Sequence, residues 1–140
     1  MRGLLLFLEM AVVVLGQQRV WTKLAGTTTD DGGYGVAVDQ SSGAVYVAGS
    51  ASLDLHGETN QGSDDILLIK YTSGGSRSWT RMVGTSGGDV GNGVSIDSST
   101  GDVYVAGYAA SSLHGQSSAG STVVALFRFA SYDTRDFSDL

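Results

Sequence analysis

Polar and apolar positions between residues 27 and 83 fall into four short runs separated by turn-forming residues. The first, Gly35 to Asp39, places Val36 and Val38 two apart. The second, Ala44 to Gly49, is apolar at nearly every position, and the third, Asp65 to Tyr71, holds Ile66, Leu67, Leu68 and Ile69 in succession. The fourth, Arg77 to Val83, alternates polar with apolar residues. A period of two predicts a strand with one buried face, whereas a continuous apolar run bounded by turns predicts a strand buried on both. The pattern therefore predicts inner strands at 35–39, 44–49 and 65–71 and an outer strand at 77–83 with one face toward solvent. Tight turns are expected at 40–43 and 72–76, with a longer loop from Ser50 to Ser63.

The same pattern occurs twice. Residues 21–71 return at 79–129, a shift of 58, with about 23 of 51 paired positions identical. Trp21 matches Trp79, Gly43 matches Gly101, Tyr46 matches Tyr104, Gly49 matches Gly107, and Leu55-His56-Gly57 matches Leu113-His114-Gly115. Self-similarity at a fixed period marks an architecture of stacked units, each unable to bury its apolar faces alone.

A unit of three buried strands and one amphipathic outer strand, with short turns alternating with long loops, is the plan of a propeller blade. The expected fold is all-β, a partial β-propeller of two four-stranded antiparallel blades. A β-sandwich and a β-solenoid are the alternatives, the latter disfavoured because solenoid coils are shorter and lack a Trp-bearing fourth strand. Gly43 and Gly101 fall where a tight turn needs positive φ, and Gly33, Gly35, Gly91 and Gly93 where inner backbones crowd.

Taken together, Trp21, Gly26, Asp31, Gly33, Gly35, Val36 to Asp39, Gly43, Val45 to Gly49, Asp64 to Tyr71, Gly75 and Trp79 form a pattern that resembles the seven-bladed beta-propeller repeat family, SBBP. The second copy departs from it, with Thr122-Val123 in place of Asp64-Asp65. The resemblance covers about residues 20–129. It implies a scaffold found mostly in secreted or surface-associated proteins with many repeats, and it implies no particular activity.

Strand order divides the chain into 1–18, a signal peptide or non-repeat leader; 19–129, the two blades at about 27–84 and 85–129; and 130–140, a non-repeat tail. Residues 19–26 match the outer strand at 77–84 and so read as the outer strand of a preceding blade, while the blade at 85–129 lacks its own. Continuation in a longer chain, of which this would be a fragment, or head-to-tail self-association would supply the missing neighbours. Residues 1–16, with Arg2 ahead of a mostly apolar stretch too short to span a bilayer, read as a secretory signal, which would place the protein outside the cell or on its surface.

A net charge of −6 with only eight scattered Lys and Arg argues against nucleic acid as a partner. The absence of Cys removes disulfides and thiolate chemistry, and no run is suited to an integral membrane span. Gly33-x-Gly35 and Gly91-x-Gly93 lack the third Gly and following helix of a dinucleotide cradle, so no cofactor is expected.

On one rim the loops gather Asp30, Asp31, Asp64, Asp65, Asp89 and the repeated His56 and His114, with Asp54 and Glu58 nearby. Carboxylates and imidazoles on a concave rim suit a polar ligand, a hard cation or acid-base chemistry. Recurrence of His56 and His114 points instead to a structural duty in each unit, and no calcium loop, nucleophile elbow or catalytic residue is marked. Trp21 and Trp79 read as packing between blades. The expectation is a non-enzymatic scaffold that binds a protein or a carbohydrate polymer. The alternative is part of an extracellular propeller hydrolase or lyase whose catalytic blades lie elsewhere.

Overall fold

In a computed structural model, described for residues 18–130, the chain forms two antiparallel sheets. The first has the order β1 (Asp31–Val38), β2 (Val45–Ala51), β3 (Asp65–Tyr71) and β4 (Arg77–Val83). The second has β5 (Val90–Asp97), β6 (Asp102–Ala109) and β7 (Val123–Phe129). Each sheet is a meander of sequential neighbours, and the two lie side by side as separate layers, which sets aside the solenoid and the single fused sandwich. No helix among the described residues is long and apolar enough to cross a membrane.

The main core is the seam between the layers. Tyr46, Ala48, Ile66 and Leu68 of the first sheet meet Val103, Val105, Ala109 and Ala125 of the second. The opposite face of the first sheet carries Leu67, Ile69, Tyr71 and Ala51. Successive residues of β3 point to opposite faces, and here both faces are covered, so the strand needs an unbroken apolar run. Full burial of Ile66 and Leu68 contributes roughly 2 kcal/mol each.

Glycines set how closely the layers approach. A Cβ on Gly35 would stand 3.1 Å from the Gly93 Cα and 3.2 Å from the Val94 amide, so β1 and β5 touch backbone to backbone. The ladder slips one residue between Gly33 and Gly35 and again between Gly91 and Gly93, a bulge repeated at the same position in both units. Gly43 and Gly101 take the expected positive φ, at 68° and 78°.

The strands at 65–71 and 77–83 stand where the sequence pattern puts them. The first strand begins earlier than expected, at Asp31, because pairing with β2 continues through the bulge. The outer strand does not simply alternate: polar Thr80 is its most buried residue, because the hairpin at 55–58 folds over it. Residues 19–26, expected as an outer strand, have no ladder partner among the described residues and belong to neither sheet. They lie against the first sheet instead: Trp21 Nε1 donates to the Ser73 carbonyl at 3.2 Å, and the indole packs on Gly75. The secretory signal expected at 1–16, and all but the first residue of the tail expected at 130–140, lie outside the described residues.

Candidate functional site

The 52–64 loop and the connections at 27–31 and 84–89 converge on one rim, because antiparallel pairing aligns Asp31, Ala51 and Asp65 across the first sheet. The turns at 39–44 and 72–76 share the other, where Gly43 faces Ser73.

Asp31 and Asp89 hold equivalent positions with equivalent tasks. Asp31 accepts from the Thr27 amide at 2.5 Å, the Thr27 hydroxyl at 2.9 Å and the Ser52 amide at 3.3 Å. Asp89, fully buried, accepts from the Thr85 amide at 2.5 Å, the Thr85 hydroxyl at 3.0 Å and the Ala110 amide at 2.8 Å. Each carboxylate thus ties the loop entering a sheet to the far end of the second strand. The spacing Thr27 to Asp31, kept as Thr85 to Asp89, is the sequence signal for this network, although it does not disclose the partner 21 residues downstream.

The remaining acids divide in the same manner. Asp64 accepts from the Ser52 hydroxyl, and its carbonyl receives the Asp89 amide at 2.8 Å, joining the rim of one sheet to the other. Asp54 accepts from the Asn60 amide at 2.8 Å, and Glu58 from the Met82 amide at 3.3 Å. Asp30 is exposed, and its carbonyl accepts from the Ser52 hydroxyl. Asp39 and Asp97 organise the opposite turns, and the Ser42 and Ser99 hydroxyls hold their carboxyls below the usual range.

Asp65 is the exception. It is fully buried and accepts from the Gln61 amide at 2.9 Å, but its Oδ1 has no hydrogen-bond partner among the described residues. Burial raises its pKa, opposed by the Gln61 amide and reinforced by the charge of Asp89. A raised folded-state value means that the folded form holds the proton more tightly. Stability from this group is therefore greatest below the ordinary carboxylate pKa and is lost as pH climbs toward the raised value. Asp65→Asn should accordingly gain on the parent protein between pH 3 and pH 7 in urea unfolding; a gain that shrinks with rising pH would contradict this assignment.

The histidines are turn residues. Leu55 and Glu58 exchange both backbone hydrogen bonds around His56 and Gly57, whose φ values are 56° and 90°. Leu113 and Gln116 do the same around His114 at 48° and Gly115 at 77°. Two consecutive positive φ values define a type I′ hairpin, and His is among the few non-glycine residues that tolerate the first of these positions. His56 Nδ1 shares a 2.8 Å hydrogen bond with the Thr80 hydroxyl, and partial desolvation followed by the Arg77 charge lowers its pKa. His114 stands edge-on to Phe127 at 6.1 Å. The structure thus keeps the two imidazoles at separate hairpins. His56→Val should cost about 1–2 kcal/mol through backbone strain, and His56→Asn much less, both read by thermal melting.

Among the described residues no three His, Asp or Glu are arranged to hold a metal ion. Trp79 meets Tyr46 of its own sheet edge-on at 5.9 Å, with Arg81 over its ring. Tyr104, the counterpart of Tyr46, is only half-buried.

Repeated sheets in face-to-face layers, with an inner strand bulged at glycine and an outer strand carrying Trp, define a β-propeller repeat module. Residues 78–114, from β4 to the His114 turn, match the model of the SBBP family, described as beta-propeller repeat. Comparison with curated proteins returns no match.

Proposed function

We propose that the chain is a non-catalytic scaffold, a propeller module whose rim carboxylates hold its own loops in shape and whose outer surface is left to meet a protein or polymer. The observation that carries this reading is the paired network of Asp31 and Asp89, in which the acids best placed for chemistry already accept from two amides and a hydroxyl each. A general base or a calcium ligand needs lone pairs aimed at open space, and these are aimed at the backbone. The exposed Asp30 and Asp54 lie at the surface of this rim, where a partner would meet them.

The test is thermal melting in millimolar calcium against a chelator. A ligand that binds only the folded form raises the melting temperature by mass action. Curves that superimpose are expected, and a rise of several degrees in calcium would overturn the structural assignment of these acids.

A further inference from the structure

Among the described residues, the two outer faces of the paired sheets are the two halves of the seam that already joins them. On the second sheet, Val124 and Leu126 are 90% and 70% exposed, whereas their counterparts one repeat earlier, Ile66 and Leu68, are 1% and 0% exposed. On the first sheet, β1 leaves Val36 at 67% and the leading segment leaves Leu24 at 97%. Glycines give the same account. A Cβ on Gly62 would stand 2.3 Å from the Thr85 carbonyl oxygen, and one on Gly35 would press on β5, yet among the described residues a Cβ on Gly120 or Gly93, the equivalent positions, would meet nothing within 4 Å. A groove of about 320 Å³ runs along β7, bordered by Leu113, His114, Gln116 and Val124, where the first sheet has β4 against β3.

We propose that the chain assembles head to tail, residues 19–26 of one copy adding a fourth strand to the β5–β6–β7 sheet of a second copy, which has three strands among the described residues. The internal seam fixes the register. β3 pairs with β4 as Leu67 with Met82, Leu68 with Arg81 and Ile69 with Thr80. One repeat earlier on the strand, and one later on the edge, these pairs become Leu24 with Ala125, Lys23 with Leu126 and Thr22 with Phe127. Side-chain contacts transfer likewise: the Trp79–Tyr46 pair becomes Trp21 on Tyr104, and the His56–Thr80 hydrogen bond becomes His114 to Thr22.

Pairing within one copy is excluded by placement. Trp21 is bonded to Ser73 and packs on Gly75, and its segment borders Leu67, Ile69 and Tyr71 on the face of the first sheet opposite the second sheet. That is where the outer strand of a preceding layer belongs, so the docked segment keeps its present place while its free edge meets the partner. The contact is heterologous and closes when the rotation completes a turn. Three or four copies would give roughly six to eight blades, within the usual range for closed propellers.

Assembly stands apart from the scaffold reading, since a chain that bound calcium could still assemble. It is tested first on the unmodified protein: light scattering should give a multiple of the monomer mass, and a stable monomer at high micromolar concentration overturns the proposal. Because the chain has no Cys, paired cysteines report the register. Oxidised Leu24→Cys/Ala125→Cys should yield covalent oligomers, while Leu24→Cys/Leu126→Cys, on opposite faces, should not; equal cross-linking of the two overturns the register. Gly120→Ala, whose Cβ would meet none of the described residues of its own copy, should keep the melting profile of the isolated copy yet shift the mass to monomer, and an unchanged oligomer would count against this seam.

Discussion

Asp89→Ala should lower stability by about 3–5 kcal/mol, because it strips the acceptor from two backbone amides and a hydroxyl at a site closed to water. In a domain of this size that corresponds to a fall in melting temperature of roughly 15 °C. Asp31→Ala removes the same set of acceptors, yet Asp31 is only half-buried, so water can replace part of what is lost. Its cost should be about half as large. Chemical denaturation of the two variants side by side checks the argument: similar losses would show that burial is not what sets the cost, and a loss below about 1 kcal/mol for Asp89→Ala would show that the network is dispensable.

The second large effect belongs to Gly49→Ala. A Cβ there would sit 1.8 Å from the Gly32 carbonyl oxygen and 2.8 Å from its carbon, and at Gly107 the distances to Val90 are the same. Backbone cannot rotate aside as a side chain can, so β1 must separate from β2 at the bulge. A cost of about 3 kcal/mol or more is expected, at the upper end for overpacking. Gly74→Ala supplies the comparison: its Cβ would touch nothing closer than the Thr72 hydroxyl at 3.8 Å. That change should be neutral or stabilising by about 0.5 kcal/mol through the unfolded chain. Equal melting temperatures for the two variants would refute the clash.

These positions show what a single sequence discloses. Layered sheets were legible because the apolar run at 66–69 requires cover on both faces, and because Trp21 and Trp79, Gly49 and Gly107 recur in step. The need for Gly at 43 and 101 was legible from the turn. The meaning of the rim was not. Asp31, Asp64 and Asp89 look like ligands on paper because composition shows charge but not the direction of lone pairs, and the amides and hydroxyls that fill those lone pairs come from Ser52, Ala110 and the loops themselves. Recurrence of His56 and His114 announced a duty in the unit, while its nature, a left-handed residue at the first corner of a hairpin, emerges only from φ. Residues 19–26 carry the outer-strand pattern without a ladder partner among the described residues, because strand propensity is local whereas a strand forms only where another edge accepts it.

The matched segment begins in β4 and ends at the hairpin after β6, so it straddles the gap between adjacent layers and coincides with neither of them. Copying or deleting such a unit inserts or removes a whole step while leaving each junction chemically the same as before. The number of layers is then one that recombination can change by integers, with no junction having to be reinvented.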